Sequence, residues 1–454
     1  MSHCRMINKP GNECDILLFF LAVSSSIAIS GDDQRRPPHN MQFIRNLTQG
    51  FPTITGIRWF NLSVLVITPA LSLYGLLYVP ILQKTVVCSI LYYIYSMLGI
   101  TAGYHRLWSH RSYNASFPLQ VFLILAGASA VQGSCYWWAR RHRSHHRHTD
   151  TDFDPYNSER GLLWTHIGWI VFESDLKTGP ADISDLRKDA LVQWQHRWYF
   201  VILTIFGYLL PMVIPGLVWG DWKGGFFFVG ALRMTACHHS TFCINSIAHY
   251  LGSTPYDDKH SPRDHLISAV LTMGEGYHNF HHQFPMDYRN AFRWYQYDPT
   301  KWFIAMCHHL GLASHLRVFP SNEIEKGALT MKLKALKDVQ DSIEWPVPPQ
   351  ELPIVTWETF QEESQTRTLL LISGFIHDAS FFLDNHPGGP ALLTRNSGKD
   401  MTASFFGGIY AHSHAAHNLL AMMRVGILAG GVEVPAEHAI PPSQHLMICP
   451  NASH

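Results

Sequence analysis

Three histidine clusters carry the clearest chemistry in this sequence: His105-Arg-Leu-Trp-Ser-His110, His142-Arg-Ser-His145-His146 and His278-Asn-Phe-His281-His282. Neutral imidazole is the commonest metal-binding side chain, and 29 histidines in 454 residues is an anomalous number for a chain with no use for them. Spacings of three and four put the imidazoles of the second and third clusters on one helical face. In the first, a five-residue spacing turns the two rings about 140° apart on an ideal helix, so a helix end or kink is expected there. Eight such histidines exceed one tetrahedral zinc site and suggest two metals. Ligand type alone leaves zinc, copper, iron and nickel open.

A smaller arrangement stands near the C-terminus. Phe381-Phe-Leu-Asp-Asn-His386-Pro-Gly-Gly389 is followed by Gly407-Gly-Ile-Tyr-Ala-His412-Ser413. Two histidines 26 residues apart, the first on a Pro-Gly-Gly turn, can close both axial positions of a haem iron. A haem so ligated keeps no open position for O2 and suits electron transfer. His414 and His417 are nearby alternatives that rank below His412. A redox domain on the same chain tips the choice of metal at the clusters to iron, with O2 chemistry.

These residues need elements to hold them. Apolar residues are 47% of the chain and charged residues only 15%, unlike an average soluble enzyme. Two apolar runs, about 59–82 and 85–103, each approach the ~20 residues that a hydrocarbon core requires. Separated only by Gln83 and Lys84, they predict a helical hairpin. A second pair lies at about 198–219 and 225–248. Arg233, inside the fourth run, is expected to face the protein interior. The apolar stretch 117–132 is flanked by histidines on both sides that look like ligands of one site, so it must return to the side it left and lies in the interface or dips in and out rather than spanning.

Charge sets the orientation. The loop 104–197 carries eleven Lys/Arg, including Arg106, Arg140 and Arg141, while the opposite turns carry Lys84 and Lys223. That places both termini and all histidine clusters in the cytosol. Net charge is zero, which gives nucleic acid no electrostatic footprint. The eight cysteines contain no C-x-x-C pair, so neither a disulfide framework nor a zinc ribbon is expected. Acceptor patterns at Asn46, Asn61, Asn114 and Asn451 fall mostly on the cytosolic side and are discounted as glycosylation sites. Residues 1–50 read as a tail, with a short signal-like apolar run at 15–30 and a polar stretch at 31–40. The expected domains are then a membrane domain over 51–310, a charged helix and Pro-rich linker over 311–350, a haem domain over 351–428 and a tail over 429–454. The fold class is mostly α: four spans, a cytosolic histidine-rich cap and a small α+β haem domain.

The chain resembles the membrane acyl-CoA delta-9 desaturases, particularly the fungal kind with a C-terminal cytochrome b5 domain. The resemblance rests on Ala102-Gly-Tyr-His-Arg-Leu-Trp-Ser-His-Arg-Ser-Tyr113, Gly274-Glu-Gly-Tyr-His-Asn-Phe-His-His282, Asp287-Tyr-Arg-Asn290, Asn245-Ser-Ile-Ala-His249 and Thr254-Pro-Tyr-Asp-Asp258. It covers roughly residues 50–310 and 351–428. It implies a ninth ligand, His249, which spacing does not select, and a role for Asn245 on one metal through water. It implies two iron ions held by His105, His110, His142, His145, His146, His249, His278, His281 and His282, and a haem b held by His386 and His412. It also implies an acyl-CoA substrate, O2, an NADH-cytochrome b5 reductase and residence in the endoplasmic reticulum membrane among its lipids. Substrate contacts are expected at Arg140, Trp138 and Trp169, with Tyr92 and Tyr93 limiting tunnel depth. His148, His238, His239, His308 and His309 fall outside the pattern. Two positions depart from it: Glu173 and Ser174 stand where basic residues usually hold the CoA phosphates, and Phe153 replaces a more usual basic residue.

The nearest rivals share the chemistry. A front-end or sphingolipid desaturase, or a lipid hydroxylase, typically carries its haem domain first and opens the third cluster with Gln. Here the haem domain is last and His278 holds that place. A non-catalytic membrane redox metalloprotein would show a lost ligand or an open haem site, and the sequence shows neither.

Overall fold

The computed structural model describes residues 51–407, 411–430 and 439–448. The N-terminal tail with its apolar run, Asn46 and Asn451, and parts of the C-terminal tail lie outside the described residues.

Among the described residues three helices are long and apolar enough to cross a membrane: Trp59–Tyr78 (α1), Gln83–Ser109 (α2) and Tyr199–Trp219. Val79 is extended and Pro80 cannot continue a helix, so α1 stops there. Gln83 and Lys84, expected in the turn, instead begin α2. At 1.5 Å per residue α1 is about 30 Å long and α2 about 40 Å. That extra length lifts the end of α2 out of the apolar layer, and its last eleven residues, Gly99–Ser109, are all buried. Leu73, Leu77, Tyr78, Ile90 and Leu91 stay exposed along the outer faces, as lipid-facing residues do. The helix Phe117–Ser129 (α3) has 13 residues, too few to span about 30 Å. It crosses α2 closely: a side chain on Gly99 would collide with the Gly127 backbone, and one on Gly127 with the Tyr104 ring.

The run expected as the fourth span, about 225–248, is helical from Trp222 to Asn245 and carries Arg233, His238 and His239. It is not among the three helices apolar enough by length and composition. Arg233 is 1% exposed and donates to the carbonyls of Ser129 (2.6 Å), Gly207 (2.9 Å) and Val229 (3.1 Å). The interior position expected for it is the one observed.

Above these helices two small antiparallel ribbons fasten the cap. Strand Ile54–Ile57 (β1) pairs with Phe172–Ser174, and Asn114–Ala115 pairs with Ala313–Ser314. Tyr104, Trp108, Leu123, Ile304 and Ala313 share one buried core, and Ile324 packs on Phe280 and Phe284. The cap's packing therefore continues past residue 310. Arg106, counted above as loop charge, is buried between Glu275 and Asp298.

An exposed helix, Ser321–Asp341, leads to the haem domain. Its four strands run in the order Ile354–Val355, Arg424–Leu428, Phe375–Asp378, Leu369–Ile372. The tight turn between the last two uses Ser373 and Gly374, both at positive φ (52° and 82°), as a two-residue hairpin requires. Phe360, Leu369, Leu371 and Ile376 fill one face, while Leu370, Ile372 and Phe405 fill the other.

Candidate metal centre

The five-residue spacing in the first cluster is met by a change of helix type. Over Gly99–Ser109 α2 is a π-helix, and the His110 amide donates to the His105 carbonyl, five residues back, at 3.1 Å. Residues five apart then lie almost over one another, and the two rings sit 4.8 Å apart. π-Helical turns gather at functional sites, and this one does the work expected of a kink.

The second cluster lies on the helix Cys135–His148 (α4), whose N-terminus is capped by the Ser134 hydroxyl. The third lies on the short helix His278–Gln283 (α5). The Asp264 carboxylate accepts from the Asn279 and Phe280 amides at the start of α5 (2.9 and 3.1 Å). One face per helix is too simple a reading, because each cluster divides. His142 and His146 join His105, His110 and His281, while His145 joins His249, His278 and His282. Residues four apart stay together, and the remaining histidine crosses to the other group.

Within each group the ligand nitrogens all lie within 4.8 Å of one another. Facing Nε2 atoms approach to 2.8 Å (His110–His142), 2.9 Å (His105–His281 and His146–His281), 3.1 Å (His278–His282) and 3.2 Å (His145–His282). Imidazole binds a metal at about 2.0–2.1 Å, which places neighbouring ligands about 3 Å apart.

Three imidazoles have their tautomer fixed from behind. His105 Nδ1 donates to Glu275 (2.8 Å) and His145 Nδ1 to Asp154 (2.9 Å). The Ser261 hydroxyl donates to Asp150 (2.6 Å), so it must accept from His249 Nδ1 (2.7 Å). Each of these rings turns an Nε2 lone pair inward, and His249 Nε2 is buried without a protein partner. Converging lone pairs around an orphaned nitrogen are a donor set that fits a cation. Burial and neighbouring imidazoles push His110, His142, His146, His278, His281 and His282 well below the usual histidine range. Those rings are neutral at pH 7, as ligands must be.

Trp138 stacks on His142 (5.0 Å between centroids) and walls the five-histidine group. Trp169 packs on Tyr156 (4.9 Å) and faces the Arg141 guanidinium (5.3 Å), while Arg140 is exposed. Glu173 and Ser174 pair with β1. Tyr92 donates to the Phe206 carbonyl (2.6 Å), and Tyr93 reaches Ser240 and the Leu271 carbonyl (both 2.8 Å). Asn245, half-buried, ends its helix four residues before His249. A cleft of about 400 Å³ opens beside His146 and His282, with Arg147, Lys259 and His260 on its rim. Of the histidines outside the pattern, His148, His238 and His308 bond backbone carbonyls and His239 pairs with His166.

Sequence reasoning missed Glu275, Asp154, Asp150 and Ser261. A signal existed for Glu275: an acid three residues before His278 in an otherwise uncharged stretch.

In the haem domain His386 Nδ1 donates to the Gly389 carbonyl (3.2 Å) and His412 Nδ1 to the Phe405 carbonyl (2.9 Å). Each ring thus donates from Nδ1, the tautomer in which Nε2 can ligate an iron. His412 stacks on Phe405 at 4.3 Å. His414 is exposed at the start of the next helix, and His417 leans on Phe405 and Phe406.

A model of the fatty acid desaturase family matches residues 83–314, and a model of the cytochrome b5-like haem/steroid-binding domain matches residues 356–429. The chain is 48% identical over 379 residues to a probable acyl-CoA desaturase of Schizosaccharomyces pombe, covering 83% of this chain and 79% of that one. It is 42% identical over 376 residues to acyl-CoA desaturase 1 of Saccharomyces cerevisiae, covering 82% and 74%. It is 37% identical over 287 residues to human stearoyl-CoA desaturase, covering 62% and 78%.

Proposed function

The chain belongs to the fatty acid desaturase family, and from that premise we propose that it is an acyl-CoA delta-9 desaturase served by its own cytochrome b5 domain. The overall reaction takes two hydrogens from adjacent methylenes of a saturated acyl-CoA and leaves a cis double bond. O2 becomes two waters, with two more electrons and two protons. The observation that carries this reading is the convergence of nine histidines into two groups, the first cluster at the end of an apolar helix long enough to cross a membrane, on one chain with a haem domain.

The groups would hold one iron ion each, five histidines on the first and four on the second, with Asn245 assisting the second through water. When bound, the iron pair supplies the oxidising power that an unactivated C–H bond demands. The chain's own residues do the rest. Glu275, Asp154 and the Asp150–Ser261 pair hold three imidazoles in the ligating tautomer. Trp138 shields one side of the five-histidine group from water. Arg140, Trp138 and Trp169 would meet the substrate, and Tyr92 and Tyr93 would limit how deep its tail runs.

His386 and His412 would hold haem b and pass electrons from an NADH-cytochrome b5 reductase. The desaturase unit would extend over 51–310 and the haem domain over 351–428, joined by the charged helix and linker. The chain would lie among the lipids of the endoplasmic reticulum membrane with four spans, and with both termini and the metal centre in the cytosol. The test is gas chromatography of fatty acids from a desaturase-deficient yeast expressing this chain. New delta-9 monounsaturated acids are expected, and their absence despite full-length membrane expression with haem bound would sink the reading.

A further inference from the structure

The two histidine groups stand in different electrostatic surroundings, and the difference lies behind the ligands. Behind the five-histidine group, the Glu275 carboxylate that holds His105 is gripped by Arg106 (2.9 and 3.2 Å). Arg106 also binds Asp298 (2.9 Å). Lys301 is buried in the same network, its amide on Asp298 and its ammonium on the Ala291 and Arg293 carbonyls. Two carboxylates share one cation in contact, Arg106, so their contacts leave a formal charge of −1.

Behind the four-histidine group the carboxylates have no such offset. Asp154, buried, accepts from His145 Nδ1 and from the backbone amides of Asp150 and Tyr156. Asp150 accepts from the Ser158 and Ser261 hydroxyls and the Ser261 amide, with the exposed His260 ring 3.6 Å away. Arg141 acts on Asp154 and Arg263 on His249 through space, and neither arginine is in contact with Asp154 or Asp150. Two carboxylates with no cation in contact give a formal charge of −2.

We propose that this imbalance makes the two metal positions electronically unequal, with Asp154 the residue that sets the four-histidine position to the lower reduction potential. Buried negative charge behind a ligand favours the more highly charged metal state, and interior charges act through a lower dielectric than in water. The four-histidine position therefore keeps the ferric state longer during reduction. The five-histidine position, its Glu275 carboxylate gripped by Arg106, becomes ferrous first. The inference rests on the proposed iron centre and adds an order to it.

The test is a stepwise reductive titration of the full chain loaded with ⁵⁷Fe, followed by Mössbauer spectroscopy, after metal analysis. The wild type is expected to give two ferric signals that convert at separate potentials. Asp154→Asn keeps an acceptor for His145 Nδ1 but removes the charge, and should raise only the lower potential and narrow the split. Glu275→Gln should move the other signal. Two irons that convert together in the wild type overturn the proposal even if Asp154→Asn does not bind iron. So does a split that Asp154→Asn leaves unchanged while iron is retained. Protein that takes up no iron overturns the proposed function itself, and metal analysis shows that before any titration.

Discussion

The cap and the haem domain both gather histidines, but they hold them by opposite means. The cap draws nine from four stretches spread over residues 105–282, and six of the nine are buried. Hydrogen bonds from behind fix three of their tautomers, and Trp138 closes one side. The haem domain offers two half-exposed histidines, 26 residues apart in one small unit. A carbonyl accepts from Nδ1 of each. The chain's own contacts thus fix much of the cap's ligand geometry, while the two imidazoles of the haem domain stand nearer the solvent. A site for difficult oxidation needs fixed geometry, whereas an electron carrier needs an accessible edge.

The largest effect should come from His281. Its Nε2 lies 2.9 Å from those of both His105 and His146, so it closes the five-histidine group. His281→Ala is expected to reduce monounsaturated product to background and to lose bound iron, while the haem absorbance stays. His412→Ala should do the reverse: haem is lost, iron is retained, and product falls on the order of tenfold as electrons arrive only from separate carriers. Iron and haem contents of the two purified variants check the comparison. If either substitution strips both cofactors, the two regions are not independent.

Much of this was legible in the sequence because spacing encodes it. Clusters two and three announce their helices, and the H-P-G-G motif announces the turn on which the His386 ring bonds the Gly389 carbonyl. His249 was not legible from spacing. It stands alone on a four-residue helix, and only the long return of the chain brings it to His278 and His145. The π-helix at His105 and His110 was foreseen only as some departure from an ideal helix, because the i+5 hydrogen bond depends on packing against α3. Residues of the fourth helical run bury Arg233 within the protein, so hydropathy understates how far that run sits inside it. Arg106 misled in the other direction, since its charge is spent on Glu275 and Asp298 rather than on orientation.

Stability should follow the same division. Arg106→Met leaves Glu275 and Asp298 buried without their cation, which costs about 3–5 kcal/mol. In thermal unfolding the cap's transition should fall while the loss of haem absorbance keeps its temperature. A common shift would show that the two regions unfold as one. The metal-free cap should also be sensitive to acid. Its buried imidazoles take up protons only well below the ordinary value of 6.5, whereas the unfolded chain takes them up near it. The unfolded state then binds more protons just below pH 6.5, so stability is present above that pH and declines as pH falls through it. Unfolding of chelator-treated protein at pH 7.5 and 5.5 should show the drop, and bound metal should delay it.

The smallest effect separates bulk from hydrogen bonding at the far end of α2. Tyr93 lies twelve residues before His105, about 18 Å along the helix, and its hydroxyl ties α2 to Ser240 and to the Leu271 carbonyl. If its ring limits the depth open to the acyl tail, Tyr93→Phe should leave the product chain-length profile as it was. Tyr93→Ala should move that profile toward longer acids without loss of iron. If instead the hydroxyl matters by holding the helices, both variants should lower total product equally and leave the profile unchanged. Iron content joins this to the first comparison, because a change 18 Å from the clusters should leave a preorganised cap intact. Lost iron in Tyr93→Ala would mean that the cap borrows its rigidity from the apolar helices beneath it.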